Sequence, residues 1–200
     1  MTYPVVPPAS ALPPLIDSTQ LRALTQGKLP AGADVDGLLA DVSAAVRAWC
    51  GWHVAPVIDE TLQMDGPGGD LLVVPTLRLV DVLSVSQRCR GRDSAVEVID
   101  PLDLEWSRAG LIRSVWRWST RLGGITLAVR HGFDSEAVGL AGVVAAVVAR
   151  QATAPTGAVK ETAGPLSVQW SATSPGVSGG VALLEHEKSF LAPYRLGSRP

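Results

Sequence analysis

Residues 135–153 are built almost wholly of Ala, Val, Gly and Leu, and a helix drawn through them is apolar nearly all round. Such a helix has no polar face to turn to water, so it needs partners on several sides, from its own core or from a neighbouring subunit. Its small residues permit close helix approach. Asp134 or Ser135 caps its start and Pro155 stops it. The apolar run 137–149 contains Gly139 and Gly142 and is too short to cross a bilayer core of about 30 Å.

Other helices are available to surround it. Asp34 is a good N-cap for a helix over residues 35–50, where Val35, Leu38, Leu39, Val42, Val46 and Trp49 recur at helical spacing and Gly51 supplies the stop. Asp17-Ser-Thr-Gln caps a short helix ending at Gly27, and a last helix spans residues 181–192 with Leu183, Leu184, Phe190 and Leu191 as its apolar residues. Residues 58–131 instead carry strand patterns. Leu77, Leu79, Leu83 and Val85 alternate with Arg78, Val80, Val82 and Ser84. Over residues 112–121 the period of two puts Trp116 and Trp118 on a buried face and Arg113, Arg117 and Arg121 in one exposed row. The expectation is an α+β fold: a small helical core of three to four helices, an inserted antiparallel β-element (58–131) and a long mobile loop. That loop, residues 155–180, is rich in glycine and holds Pro155, Pro165, Pro175 and one strand-like piece, 166–170. Residues 1–16, with five prolines, read as an extended arm before a single domain over 17–196, and 197–200 as a tail.

Charged residues make up 18% of the chain, below the about 25% usual for soluble domains, which leaves more neutral or apolar surface for other subunits. A net charge of −2 argues against a dedicated nucleic-acid binder. The 14 Arg against 3 Lys fit an interface role and a GC-rich genome equally well. Cys50 and Cys89 form no framework, and the N-terminus lacks the features of a signal peptide, so the protein reads as cytosolic when made. Gly176-Val-Ser-Gly-Gly180 matches the nucleophile-elbow pattern, but Pro175 separates it from the nearest strand, and His186 is too local to complete a triad. His53, His131 and His186 are scattered without an evident ligand grouping, and a lone strand-end histidine such as His131 is more often structural than catalytic. No enzyme activity, cofactor or metal is expected.

Several strings resemble the head–tail connector (adaptor) family of tailed bacteriophages. Residues 39–53, Leu-Ala-Asp-Val-Ser-Ala-Ala-Val-Arg-Ala-Trp-Cys-Gly-Trp-His, are similar to that family's first core helix, and residues 74–85 to the strand opening its inserted sheet. Residues 125–134, ending His-Gly-Phe-Asp, resemble the turn before its second helix; residues 164–168 and 190–196 resemble its mobile strand and terminal helix. The resemblance spans residues 17–196 and rests on the order of short strings. It implies a structural virion protein at the head–tail junction, present in the host cytoplasm before assembly. It further implies a ring, usually twelve-fold, beneath the portal, whose other partner is a neck, stopper or tail-terminator protein. DNA would pass through without sequence-specific contact, and no membrane is involved. The terminal helix (Phe190, Tyr194, Arg195) is expected to engage the portal, and the loop strand (Val168, Trp170) the channel or the next neck protein. The row Arg113, Arg117, Arg121 is read as solvated, as a strip between subunits, or as a contact to DNA phosphates. The alternatives are a tail-completion or neck-stopper protein, mostly β with less helix, and a scaffold or binding module unrelated to phage.

Overall fold

Among the described residues, four helices and nine strands form an α+β chain. The structure is a computed structural model, and it describes residues 12–30, 32–89, 91, 95–134, 138–153, 160–163, 166–169 and 181–197. The chain divides into a helical unit, Leu12–Gly51 with Ser135–Arg195, and a β unit, Trp52–Asp134.

The helical unit contains α1 (Ser18–Thr25), α2 (Val35–Cys50), α3 (Val138–Thr153) and α4 (Glu185–Leu191), followed by a 3-10 turn, Ala192–Tyr194. Local chemistry sets the ends. Asp17 and Gln20 form a reciprocal capping box, with Gln20 N–H donating to Asp17 Oδ1 at 2.7 Å and Asp17 N–H to Gln20 Oε1 at 3.1 Å. Asp34 Oδ1 accepts from Gly37 N–H, and Gly51, at φ 81°, closes α2. As its composition requires, α3 packs against α1, α2 and α4. Leu140, Val143, Val144, Ala145, Val147 and Val148 are buried, while Gly139, Gly142 and Ala146 lie on its open side.

The buried face of α2 is Leu39, Val42, Val46 and Cys50, with Ser43 and Arg47. Val35, Leu38 and Trp49, expected in the same stripe, are half-buried. The shift follows from what lies on that face. Leu15 and Ile16, read from sequence as part of an extended arm, are buried. Leu15 N–H donates to Ser43 Oγ at 3.0 Å, and the Arg47 guanidinium donates to Pro13 O at 2.6 Å. Burial lowers the Arg47 pKa to about 10.

The last helix begins at Glu185, later than its expected start at 181, because the Glu187 carboxylate accepts Leu184 N–H at 2.7 Å and caps the helix there. That carboxylate is also held by Arg150 of α3 at 2.9 and 3.1 Å, and Arg150 Nη2 donates to Ala182 O at 2.9 Å. Glu187 and Leu191 are buried, so one ion pair and one leucine fix α4 to the core.

In the β unit, β1 (Ile58–Met64), β3 (Leu79–Arg88), β4 (Val96–Ile99) and β7 (Ile125–His131) form an antiparallel sheet in the order β1-β7-β3-β4. β2 (Leu71–Val73), β5 (Leu104–Trp106) and β6 (Leu111–Ser114) form a second, in the order β2-β6-β5. The strands on either side of the glycine turn 65–70 thus pair in different sheets and not with each other. One apolar cluster, including Leu62, Leu72, Val85, Ile112, Trp118, Leu127 and Val129, forms the core of the unit. β3 does not keep the simple alternation expected of it. Register shifts against β7 between Leu79 and Asp81 and between Val82 and Ser84 insert extra residues, so Val82 is buried and Leu83 exposed.

The expected strand over 112–121 stops at Ser114. Ser114 Oγ accepts Trp116 N–H at 3.1 Å, a local bond that competes with the ladder. The chain then crosses the glycine turn, with Trp118 N–H donating to Gly69 O, Gly68 N–H to Ser119 O and Gly66 N–H to Arg121 O. Of the two faces assigned from sequence, Trp118 is buried and Val115 exposed as expected, while Trp116 is exposed and Ser119 buried, the reverse of the expectation.

Within the residues read as a glycine-rich loop, β8 (Lys160–Ala163) and β9 (Leu166–Gln169) pair as an antiparallel hairpin. β8 was not expected.

Candidate functional site

β1 and β7 pair with Ile58 opposite His131, which sets Glu60 and His131 at the same end of the sheet. The His131 ring, 2% exposed, contacts the Glu60 carboxylate through Nε2 at 2.8 Å. The segment leading into β1 adds His53, also buried, whose ring centroid lies 4.3 Å from that of His131 in an edge-to-face arrangement. His53 Nε2 donates to Pro56 O at 3.0 Å. Trp52 packs against both histidines and Phe133. The donor atoms of His53, Glu60 and His131 lie within 4.8 Å of one another. The expectation of scattered histidines therefore holds for His186, exposed on α4, and not for the other two. No local motif joins positions 53, 60 and 131; only the strand register does. The sequence places Gly132 beside this cluster, and a Cβ there would meet His53 Nε2 and Pro56 O at 2.5 Å each. The His131-Gly132 pair leaves the room that the His53 ring occupies.

The proposed arginine row is not a row. Arg113 projects from β6 and pairs with Asp70 at 3.4 Å, both well exposed. Arg117 is exposed beyond the strand, and Arg121 reaches Gly91 O at 3.4 Å. Arg121 also lines a polar hollow of about 290 Å³ with Arg88, Gln63 and Gln87. On the outer face of the first sheet, Arg130 binds Asp59 through two nitrogens at 2.7 and 2.9 Å. Those hydrogen bonds hold the Asp59 carboxyl below the usual carboxylate range.

Exposed apolar residues lie on both sheets of the unit, among them Val80, Leu83, Val96 and Val98 on the first and Leu71, Val73, Trp106 and Leu111 on the second. Leu71, Val73 and Leu111 point outward, with Val73 opposite Leu111 in the register, and Val115 (81% exposed) and Trp116 (67%) follow directly after the end of β6. In the helical unit Phe190 stands 64% exposed on α4, Tyr194 is half-buried, and the Arg195 guanidinium lies over the Trp49 ring, 5.1 Å from its centroid. Cys50 is buried in α2, which pushes its thiol up to about 12, partly offset by the charge of Arg195. Trp170 and the Gly176–Gly180 string lie outside the described residues, as does the side chain of Val168. No helix among the described residues is long and apolar enough to cross a membrane.

The architecture is that of a small helical core interrupted by an antiparallel β unit. Solved structures share it over their full length. The chain aligns with one from the neck of an empty gene transfer agent (GTA) particle computed with C6 symmetry, at 18% identity, TM-score 0.55 and 100% coverage of both chains. A chain from the neck of the native GTA particle, computed with C12 symmetry, gives the same values. A chain of the native gene transfer agent virion aligns at 19% identity and TM-score 0.56, again over 100% of both. No protein-family model and no curated protein matches the sequence.

Proposed function

We propose that this chain is a structural component of the neck of a phage or phage-like particle, a head–tail connector that forms a ring beneath the portal. The observation that carries the reading is the full-length likeness in fold to chains from gene transfer agent necks, two of them from reconstructions with six- and twelve-fold symmetry. A cyclic ring needs two different surfaces per subunit, since each copy meets its neighbours head to tail. The exposed apolar residues Leu71, Val73, Leu111, Val115 and Trp116 are assigned to contact with a second copy. Phe190, Tyr194 and Arg195, at the end of the helical unit, are assigned to the portal; the strand containing Val168 and the neighbouring Trp170 belong to the channel side or to the stopper or tail-terminator protein.

The test mixes the protein with its portal and images the complex by electron microscopy, which is expected to show a ring seated on the portal. Trp116→Asp, at a position that contributes nothing to the core, is expected to weaken self-association at least tenfold while leaving circular dichroism unchanged; native mass spectrometry reads the oligomer. Phe190→Glu is expected to abolish portal capture at unchanged Tm. This point variant is cleaner than removing the terminal helix, because Glu187 and Leu191 are core residues. Portal binding and ring size both untouched by the two variants would overturn the assignment of surfaces, and a protein indifferent to the portal would overturn the function.

A further inference from the structure

The geometry points to a structural metal site in the β unit: His53, Glu60 and His131 hold one divalent transition-metal ion of the zinc type. Three features carry it. The donor set, two imidazoles and one carboxylate, suits borderline ions such as zinc and cobalt. Its atoms lie within 4.8 Å of one another, against about 3.3 Å between ligands around tetrahedral zinc with bonds of about 2.0–2.1 Å. Small side-chain rotations close that difference.

The second feature is a contact that an ion can replace. Glu60 Oε2 lies 2.8 Å from His131 Nε2, so an ion taking the place of that hydrogen bond is held by both side chains, the carboxylate and the imidazole facing it from either side. The third feature is orientation. The His53 ring is aimed by its Nε2–H bond to the Pro56 carbonyl, the kind of backing that fixes a metal-ligating imidazole. Gly132 keeps the space for that ring free of a side chain. The Glu60 side chain is 18% exposed, which leaves a route for the ion and a position for a solvent ligand.

The ion would tie the segment entering β1 to β1 itself and to the end of β7, three pieces of chain far apart in sequence. Because it binds the folded state alone, its effect is a gain in stability that rises with metal concentration. The experiment titrates the chelator-treated full chain with Zn2+ and, separately, Co2+. The expected results are one saturable ion per chain, a visible cobalt absorption band, and a Tm raised by about 5 °C or more when zinc exceeds its Kd a hundredfold. Glu60→Gln keeps an acceptor for His131 and is expected to retain its metal-free circular dichroism and Tm while binding Co2+ at least tenfold more weakly. Absence of saturable binding and of any Tm shift in the unaltered chain would sink the site. So would cobalt binding by Glu60→Gln equal to that of the parent, since the ion would then sit elsewhere.

Discussion

Arg150→Met is expected to lower the Tm of the chain by about 10 °C, and to cost more than Glu187→Gln at the other end of the same ion pair. The asymmetry follows from burial. The Glu187 side chain is 5% exposed and the Arg150 side chain 25%. Removing one partner of a buried pair costs about 3–5 kcal/mol, because the other charge is left uncompensated. In a domain of this size each kcal/mol moves Tm by about 2–4 °C. A lone Glu187 carboxylate has little access to water, whereas a lone Arg150 guanidinium reaches solvent and keeps its bond to Ala182 O. Glutamine at 187 also retains an oxygen for Leu184 N–H, so the start of α4 survives. Thermal melts by circular dichroism rank the two variants, and equal costs or the reverse order would contradict this account. Arg150→Met should also lose portal capture at temperatures where most helix signal persists, because α4 carries Phe190 and its attachment is what the substitution removes.

The helices were legible in the sequence because their determinants are local. Asp17, Asp34 and Gly51 cap where they were expected to, and the composition of α3 demanded the surround that α1, α2 and α4 supply. Most of the failures come from partners distant in sequence, and one from a local side-chain bond. α4 starts late because its capping carboxylate is anchored by an arginine 37 residues away. A period of two continues on paper through residues 112–121, but the Ser114 hydroxyl captures the next ladder donor and the chain leaves the sheet. Bulges in β3 exchange Val82 for Leu83 in the core, and alternation alone cannot signal an inserted residue. His53, Glu60 and His131 meet only once β1 is paired with β7, a register spanning 71 residues between Glu60 and His131. Of the surface residues singled out from sequence, Phe190 is as exposed as a docking residue needs to be, whereas the arginine row depended on a strand that ends before it forms.

Where that strand ends, the chain crosses the glycine turn so closely that Gly66→Ala is expected to destabilise the β unit by about 3 kcal/mol or more. A Cβ at position 66 would land on the backbone carbonyl of Ser119. Overpacking against a side chain costs about 1–3 kcal/mol; a backbone carbonyl cannot rotate away, so the upper end applies. Separating the two segments also threatens three hydrogen bonds: Gly66 N–H to Arg121 O at 2.9 Å, Gly68 N–H to Ser119 O at 3.1 Å and Trp118 N–H to Gly69 O at 2.8 Å. Each contributes about 0.5–1.5 kcal/mol. Gly69→Ala is the control, because its nearest neighbour, Leu71 N, would be 4.0 Å from the new methyl. Urea unfolding should show a lower midpoint for Gly66→Ala and almost none of that loss for Gly69→Ala. The effect should reach assembly as well. Trp118 is anchored beneath the crossing by its indole N–H to Asp70 O at 2.9 Å, and Val115 and Trp116 lie on the same short segment. Pushing that segment off the turn displaces the apolar residues assigned to the neighbouring subunit, so Gly66→Ala should weaken ring formation even at denaturant-free temperatures where the fold is intact. A variant that unfolds early yet assembles normally below its melting point would separate the crossing from the interface and move the subunit contact elsewhere.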